Sequence, residues 1–194
     1  KTSTGVDMWT LTEIALLPDS ILNSLSQLLT DIQHQAVPPL QVLTNLMATL
    51  PKKDGGVRTV AIATTLCRLL MELDNQEMAT FEKENAFEND SATAGASAVT
   101  AAEDRSLLAE LERLLGKFTM TILWDLEKFF DSISVAALFH EARELGFPLR
   151  QLTLSMVVHH APRRLKLGTA IGEPITKLGR SILAGCKRST HIAR

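Results

Sequence analysis

A run of apolar and β-branched residues that ends in a carboxylate is the feature that most constrains this chain. Residues 118–126 read Phe-Thr-Met-Thr-Ile-Leu-Trp-Asp-Leu, which predicts a buried β-strand with Asp125 at its carboxyl end. Removing a carboxylate from water is costly unless a partner offsets the cost, so packing alone does not explain Asp125. A divalent cation is one such partner, because Mg²⁺ binds carboxylate oxygens together with substrate phosphates. The alternative is that Asp125 caps the strand end or a following turn.

The composition is that of an ordinary globular protein. The chain has 194 residues, 45% of them hydrophobic, which suits one large domain or two small ones. Cys67 and Cys186 lie far apart without a Cys-x-x-Cys partner, which argues against a zinc ribbon or disulfide framework and favours two buried small side chains. No apolar run has the length of a membrane span and no signal-peptide pattern opens the chain, so we expect a soluble, intracellular protein. Because the chain begins at Lys1 and not at methionine, we also expect a piece of a longer protein.

The formal net charge of −2 conceals an uneven distribution of charge. Residues 1–147 carry 11 basic and 21 acidic side chains, a balance of −10, whereas residues 148–194 carry nine basic side chains and one acidic one, a balance of +8. This asymmetry favours an anionic partner for the C-terminal part, nucleic acid being the commonest. The alternative is a fold whose basic half packs on its acidic half, and charge alone leaves the two interpretations equal.

Helical periodicity alternates with short apolar runs, which predicts a mixed α+β fold. The predicted helices span residues 9–29 (broken at Pro18, with Asp19 or Ser20 as the cap of the second part), 66–87, 101–115, 135–145 and 149–158. A strand over 59–65, a loop over 89–100 and a hairpin over 163–169 complete the pattern. His159 and His160 are adjacent in a helix without a nearby acid or cysteine, so a structural or solvent-facing role is favoured over metal binding.

A basic turn between two apolar runs predicts a hairpin over residues 50–62. Lys52, Lys53 and Arg58 flank Asp-Gly-Gly, which suits a tight turn because glycine readily takes positive φ. Two ammonium groups and a guanidinium on such a turn are able to hold a polyphosphate. The alternative is a solvated edge hairpin with protective lysines.

The segment that follows the predicted strand resembles the first catalytic-aspartate segment of reverse transcriptases. Residues 125–133 read D-L-E-K-F-F-D-S-I. The resemblance implies that Asp125 binds the catalytic Mg²⁺ (or Mn²⁺) ions and that the main-chain carbonyl of Leu126 assists. It also implies that Phe130 stacks beneath the incoming sugar and excludes a ribose 2′-hydroxyl.

Three further segments extend the resemblance over nearly the whole chain. The hairpin L-P-K-K-D-G-G-V-R resembles the fingers hairpin of the retrotransposon and group II intron types, which implies that Lys52 (or Lys53) and Arg58 contact the triphosphate. Residues 178–189 resemble the G-x-P-Q-G-x-x-x-S segment that supports the templating base and the nucleotide. Gly185 and Ser189 are in register there. The lead-in Gly-x-Asp-x-Trp at residues 5–9 resembles that of retrotransposon polymerases.

Two departures from the family bear on activity. In the glycine segment, Ser181, Leu183 and Ala184 replace the glycine, proline and glutamine, which puts nucleotide positioning in doubt. The chain also lacks an aromatic-x-Asp-Asp hairpin, and Glu173 is the one acid after residue 147. Two-metal phosphoryl transfer needs carboxylates on both sides of the ions. We therefore expect Mg²⁺ to bind only with those further carboxylates, and no nucleotide transfer by this chain alone.

The resemblance implies helix-rich fingers plus a partial palm of a right-hand polymerase. Residues 1–117 would form the N-terminal helices and fingers, and residues 118–194 the partial palm. The implied partners are an RNA template, a DNA primer and deoxynucleoside triphosphates, without a membrane, and a nuclear location would suit a retroelement. The residues expected to contact nucleic acid are Arg163, Arg164, Lys166, Lys187 and Arg188. Residues 163–166 could instead form an exposed hairpin edge.

One alternative function belongs to another class. The chain would then be a non-catalytic helical module that binds nucleic acid or protein, such as a decayed retroelement remnant using its basic C-terminal face. Such a module needs neither Asp125 nor a nucleotide site.

Overall fold

The chain divides into two compact units. The computed structural model describes residues 4–87, 90–91 and 95–193. The first unit combines Lys1–Met78 with Lys128–Arg194, and the second is Ala79–Glu127. Within the described residues, no helix combines the length and the apolar character that crossing a membrane requires.

Helices and a small sheet give the α+β class predicted from the sequence. The described residues form nine helices: α1 (Leu11–Ala15), α2 (Asp19–Gln35), α3 (Thr65–Leu73), α4 (Asn75–Asn85), α5 (Ala98–Leu114), α6 (Phe129–Ser132), α7 (Val135–Glu144), α8 (Leu149–His160) and α9 (Ser189–Ala193). They also form four strands: β1 (Asn45–Pro51), β2 (Val57–Ile62), β3 (Arg163–Leu167) and β4 (Ala170–Ile171).

Local signals account for where most helices begin and end. The predicted break at Pro18 is confirmed, but Pro18 itself is the N-cap of α2 and no side chain caps the helix. The prediction that Asp19 or Ser20 is the cap is therefore wrong, because the fixed φ of proline already directs the chain into the helix one residue earlier. Gly116 and Gly146 have positive φ directly after α5 and α7, as predicted.

The helix predicted over residues 66–87 is two helices. α3 ends before Asp74, and α4 begins after it. The buried Asp74 carboxylate accepts a hydrogen bond from Gln33 and pairs with Arg188, which holds the break in place. Of the predicted loop over 89–100, residues 89 and 92–94 lie outside the described residues. α5 begins earlier than predicted because the Ser97 side chain accepts a hydrogen bond from the Thr100 N–H.

The sheet has the strand order β2-β1-β3-β4. β1 and β2 form the predicted basic hairpin, antiparallel, with Pro51 opposite Val57 and Leu46 opposite Ile62. β3 pairs with β1 in parallel and with β4 antiparallel, which confirms the second hairpin. This order places both basic hairpins in one sheet.

The strand predicted over residues 118–126 does not form. The segment is irregular and exposed, with Phe118 at 104% and Trp124 at 87% relative exposure. A strand is stable only when its N–H and C=O groups pair with a neighbouring strand. The strands of the sheet in the described residues all come from the first unit, so the apolar run has no such neighbour there. Apolar composition alone therefore does not make the segment a strand.

The main core of the first unit lies around the hairpin, α3 and the glycine segment. Its buried members are Met47, Ala61, Ala63, Cys67, Met71, Val158, Leu183 and Cys186. A second buried cluster joins α2, α3 and α8 through Leu29, Ile32, Leu70 and Leu154. Two distant parts of the sequence, residues 47–71 and 158–186, thus share one core.

Candidate functional site

The basic hairpin presents its three predicted cations to solvent. The Lys52 N–H donates to the Gly56 carbonyl at 2.7 Å, and Gly55 takes a φ of +88° at the tip. Lys52, Lys53 and Arg58 are all exposed. A compact turn with three exposed cations keeps their charges close together, which is what an anionic ligand requires.

The glycine segment packs directly on this hairpin. The Ala61 N–H of β2 donates to the Ala184 carbonyl at 2.6 Å. Gly185 has a φ of +95°, and a Cβ there would lie 2.8 Å from Val60 Cγ1 and 3.1 Å from the Ala61 carbonyl oxygen. Gly185 is thus required both by its backbone conformation and by the close approach of β2. The predicted contact of Gly185 with a nucleotide stays a prediction.

The segment that carries Phe130 joins the glycine segment from the other side. Lys128 has a left-handed φ of 51°, and α6 begins directly after it. The Phe130 carbonyl accepts from the Ile182 N–H and the Ile133 carbonyl from the Ser181 N–H, both at 2.9 Å. The half-buried Phe130 ring makes an edge contact with Phe129, with the ring centroids 5.2 Å apart. The glycine segment therefore lies between α6 and the hairpin.

A buried polar network fixes this junction, and sequence reasoning missed it. Arg163 donates to Ser181 Oγ and to the Ser181 carbonyl, each at 2.9 Å, and to the His159 carbonyl at 3.2 Å. The Ser181 hydroxyl lies 3.3 Å from Asp131 Oδ1. Burial lowers the pKa of Arg163, and the Asp131 carboxylate opposes that shift. The network connects β3, α6, α8 and the glycine segment.

One signal for this network was present in the sequence. Ser181 stands where the resembling family has glycine, and its φ is +91°. A non-glycine residue in that region stores about 1–2 kcal/mol of strain. The two hydrogen bonds from Arg163 to Ser181 hold that conformation. A serine at a position where the resembling family has glycine was therefore a sign that a partner offsets the backbone strain.

His159 is a structural residue of the same junction. It is 1% exposed, and its Nδ1 accepts a hydrogen bond from the Leu183 N–H at 3.0 Å. Burial lowers the pKa of His159, and with the smaller electrostatic effects of Arg163 and His160 the pKa falls to about 3. His159 is therefore neutral near pH 7, which agrees with the structural role favoured from the sequence. His160 is exposed.

The five cations predicted to contact nucleic acid differ in their surroundings. Arg163 and Arg188 are 7% and 3% exposed, and Arg188 pairs with Asp74 at 3.4 Å while donating to the Met71 carbonyl at 3.0 Å. Both guanidinium groups act inside the protein, and we do not include them in a nucleic-acid surface. For Arg188, the pair with Asp74 is an instance of the internal charge compensation that the sequence left open.

Three of the five cations reach the surface. Arg164 and Lys166 are partly exposed and share one face of β3, since alternate residues of a strand point the same way. Lys187 is exposed and forms an ion pair with Glu72. The predicted nucleic-acid contacts of these three cations stay predictions.

The N-terminal lead-in is anchored at the start of α3. The Thr65 N–H donates to Asp7 Oδ2 at 2.6 Å, and the Thr65 hydroxyl donates to the Trp9 carbonyl at 2.7 Å. A Cβ on Gly5 would lie 2.6 Å from the Ala63 carbonyl oxygen. The Gly-x-Asp-x-Trp spacing thus has a packing reason, because it places a carboxylate at a helix N-terminus.

Asp125 and Leu126 lie in the second unit, both exposed in the irregular segment. The hairpin, α6 and the glycine segment meet within the first unit. Across the described residues there is no group of three or more His, Cys, Asp or Glu side chains placed to hold a metal ion. Asp125 alone does not supply the ligands that a two-metal centre needs, so we derive no step through Mg²⁺.

Comparison with known proteins does not identify a family for this chain. No protein-family model matches the chain, and no curated protein matches it. The likeness to reverse transcriptases accordingly remains a resemblance carried by the residues quoted above.

Proposed function

We propose that this chain is part of a retroelement RNA-directed DNA polymerase, in which it binds the incoming deoxynucleoside triphosphate and the primer–template. The reaction would be nucleotidyl transfer to a DNA primer on an RNA template. It would require a second set of carboxylates, which this chain does not contain, to hold Mg²⁺ or Mn²⁺ with Asp125.

One observation supports the proposal above the others. Three of the segments that carry the resemblance are joined by main-chain hydrogen bonds in the first unit. Ala61 of the hairpin bonds to Ala184, and the carbonyls of Phe130 and Ile133 accept from the glycine segment. The bonded residues lie up to 123 positions apart in the sequence, so chain proximity does not explain their meeting.

The chain's own residues would bind and orient the nucleotide. The exposed cations Lys52, Lys53 and Arg58 would neutralise the triphosphate, Arg58 through a forked pair of N–H donors. Phe130 lies on α6, which the glycine segment joins to the hairpin. Its ring would contact the sugar and disfavour a 2′-hydroxyl. Arg164 and Lys166 would contact backbone phosphates of the primer–template.

The nucleotide-binding part of the proposal is testable on the chain itself. The intact chain is titrated into a fluorescent deoxynucleoside triphosphate, and anisotropy gives Kd. Arg58→Ala is expected to weaken binding about tenfold or more, because a charge-assisted hydrogen bond is lost. Arg105→Ala, which removes an exposed arginine of α5, is the matched control and is expected to leave Kd unchanged. Equal Kd values for the two variants would refute the proposed triphosphate site.

The catalytic part needs a protein that supplies the missing carboxylates. Primer extension on an RNA template is measured with the chain followed by an aromatic-x-Asp-Asp hairpin in the same polypeptide. Asp125→Asn is expected to abolish extension while leaving nucleotide Kd nearly unchanged. Extension that survives Asp125→Asn would contradict the role assigned to Asp125.

The exposed apolar residues of the second unit favour one other candidate function. Large apolar side chains over residues 118–126, including Phe118 and Trp124, are exposed. A contiguous exposed apolar patch is typical of a surface that binds another protein. The chain would then be a non-catalytic binding module. A nucleotide Kd that Arg58→Ala leaves unchanged, together with the absence of primer extension, would support this candidate.

A further inference from the structure

Three sulfur-bearing side chains of the first unit, Cys67, Met71 and Cys186, belong to the main core. Cys67 and Met71 lie one turn apart on α3, where residues four positions apart are neighbours on one face. Cys186 follows Gly185 in the glycine segment, and its Sγ lies 3.7 Å from Met71 Sδ. All three residues are buried members of the same core cluster, and both cysteines are free thiols.

The distance between the sulfur atoms of Cys186 and Met71 suits a shared ion. Metal–sulfur bonds are about 2.3 Å long. Two sulfur atoms bound to one ion at tetrahedral to trigonal angles therefore lie about 3.8–4.0 Å apart, from that bond length. The observed 3.7 Å between Cys186 Sγ and Met71 Sδ is close to this separation. Little movement of either side chain would be needed.

A buried guanidinium lies close to the sulfur cluster, because Arg188 follows Cys186 by two residues and its charge acts on that thiol. Arg188 Nη1 is buried without a hydrogen-bond partner in the described part of the chain. A bis-thiolate complex would thus lie near a buried, incompletely paired cation.

A cleft gives a small ion access to this cluster. Its volume is about 410 Å³, and its walls include Met71 and Cys186 as well as the polar side chains of Arg68, Glu72 and Lys187. Two of the three sulfur-bearing residues therefore border space that opens to solvent. A hydrated ion entering there would lose its waters to sulfur ligands.

We propose that Cys67, Met71 and Cys186 form a binding site for a monovalent soft metal ion, with Cu(I) as the fitting example. Thiolate and thioether ligands select Cu(I) over the hard cations that carboxylates prefer. On binding, each thiol loses its proton to water. The ion and two thiolates make a complex of charge −1, completed by the neutral thioether, and no electron is transferred. The site is independent of the polymerase proposal, because none of its ligands is a residue assigned to the nucleotide.

The test uses the intact reduced chain and Cu(I) alone, without oxygen, in competition with a coloured Cu(I) chelator. We expect one equivalent to bind with a sulfur-to-copper absorption band in the near ultraviolet. Cys67→Ser and Cys186→Ser are each expected to lose tight binding. Met71→Leu keeps the side-chain volume and is expected to weaken Cu(I) binding about tenfold. Loss of a group that supports a metal site typically lowers metal affinity by about this factor. Met78→Leu, at a fully buried methionine outside this cluster, is the matched control.

Each result bears on the assignment. If Met71→Leu binds Cu(I) more weakly than Met78→Leu, and circular dichroism shows that both variants are folded, the result would support a site in which Met71 and the two cysteines all bind the ion. Equal affinities for these two variants would overturn the site. It would also fail if the urea-unfolded chain bound Cu(I) as tightly as the folded chain, because two cysteines alone would then account for the binding.

Discussion

At the residue scale, the glycine segment depends on polar groups buried around one serine. Ser181 holds a left-handed φ between Arg163 and Asp131, and His159 supports the next turn of the segment through Leu183. The side chains of Ser181, Arg163 and His159 are buried, so the contribution of each to stability depends on the partner that it keeps. The junction of the three motif segments is therefore expected to be sensitive to protonation of His159.

The free energy of unfolding is expected to decrease as the pH is lowered, because of His159. The pKa of His159 is about 3 in the folded chain, whereas the pKa of a histidine in an unfolded chain is about 6.5. Below about pH 6.5 the unfolded chain therefore binds a proton at this histidine, whereas the folded chain does not. This difference favours unfolding as the pH falls towards 3. The stabilising effect is fully present above pH 6.5. Well below that pH the slope approaches about 1.4 kcal/mol per pH unit.

Urea unfolding between pH 7 and 5 checks this expectation before the carboxylates begin to titrate. His159→Gln is expected to flatten the dependence on pH, although it also lowers stability. His160→Gln changes an exposed neighbour and is expected to keep the slope. The same slope in both variants would mean that His159 is not the responsible group.

At the scale of elements, docking of the glycine segment on β2 is expected to depend on Gly185. Gly185→Ala adds a Cβ 2.8 Å from Val60 Cγ1 at a φ of +95°, so the substitution is expected to cost about 1–3 kcal/mol. It should also speed hydrogen exchange at the Ala61 amide, which bonds to Ala184. Gly179→Ala is the control, because a Cβ there meets no atom within 4 Å and φ is unstrained. Unchanged exchange at Ala61 in Gly185→Ala would contradict this docking role.

Sequence patterns predicted those elements that local chemistry determines. The basic hairpin followed from Asp-Gly-Gly, the break before α2 from Pro18, and the end of α7 from Gly146. The strand over residues 118–126 was wrong because a strand requires a paired neighbour, which no local pattern reports. The hairpin cations were predicted as exposed phosphate ligands, whereas the Arg163 network was not, since its members are 18 to 50 positions apart.

At the scale of the whole molecule, the buried polar and apolar groups are concentrated in the first unit. The two buried clusters described above belong to it, as do Arg163, Arg188 and His159. In the second unit, α5 has no buried residue and residues 118–126 are irregular. Burial of apolar surface is the main stabilising term in folding, so local opening is expected to cost least in the second unit.

Limited proteolysis tests this uneven distribution of stability. Brief chymotrypsin digestion of the folded chain is expected to cut first after Phe118 or Trp124, because both lie in exposed, irregular backbone that fits a protease cleft without unfolding. Leu152 is fully buried and serves as the internal control, because chymotrypsin also cuts after leucine and should reach this site only after global unfolding. Mass spectrometry of the early fragments identifies the sites. Early cleavage at Leu152 with residues 118–126 intact would show that the apolar run is protected, as a paired strand would be. Because opening of an exposed segment needs no loss of the core, the early rate at Trp124 should stay constant up to urea concentrations that begin to unfold the first unit.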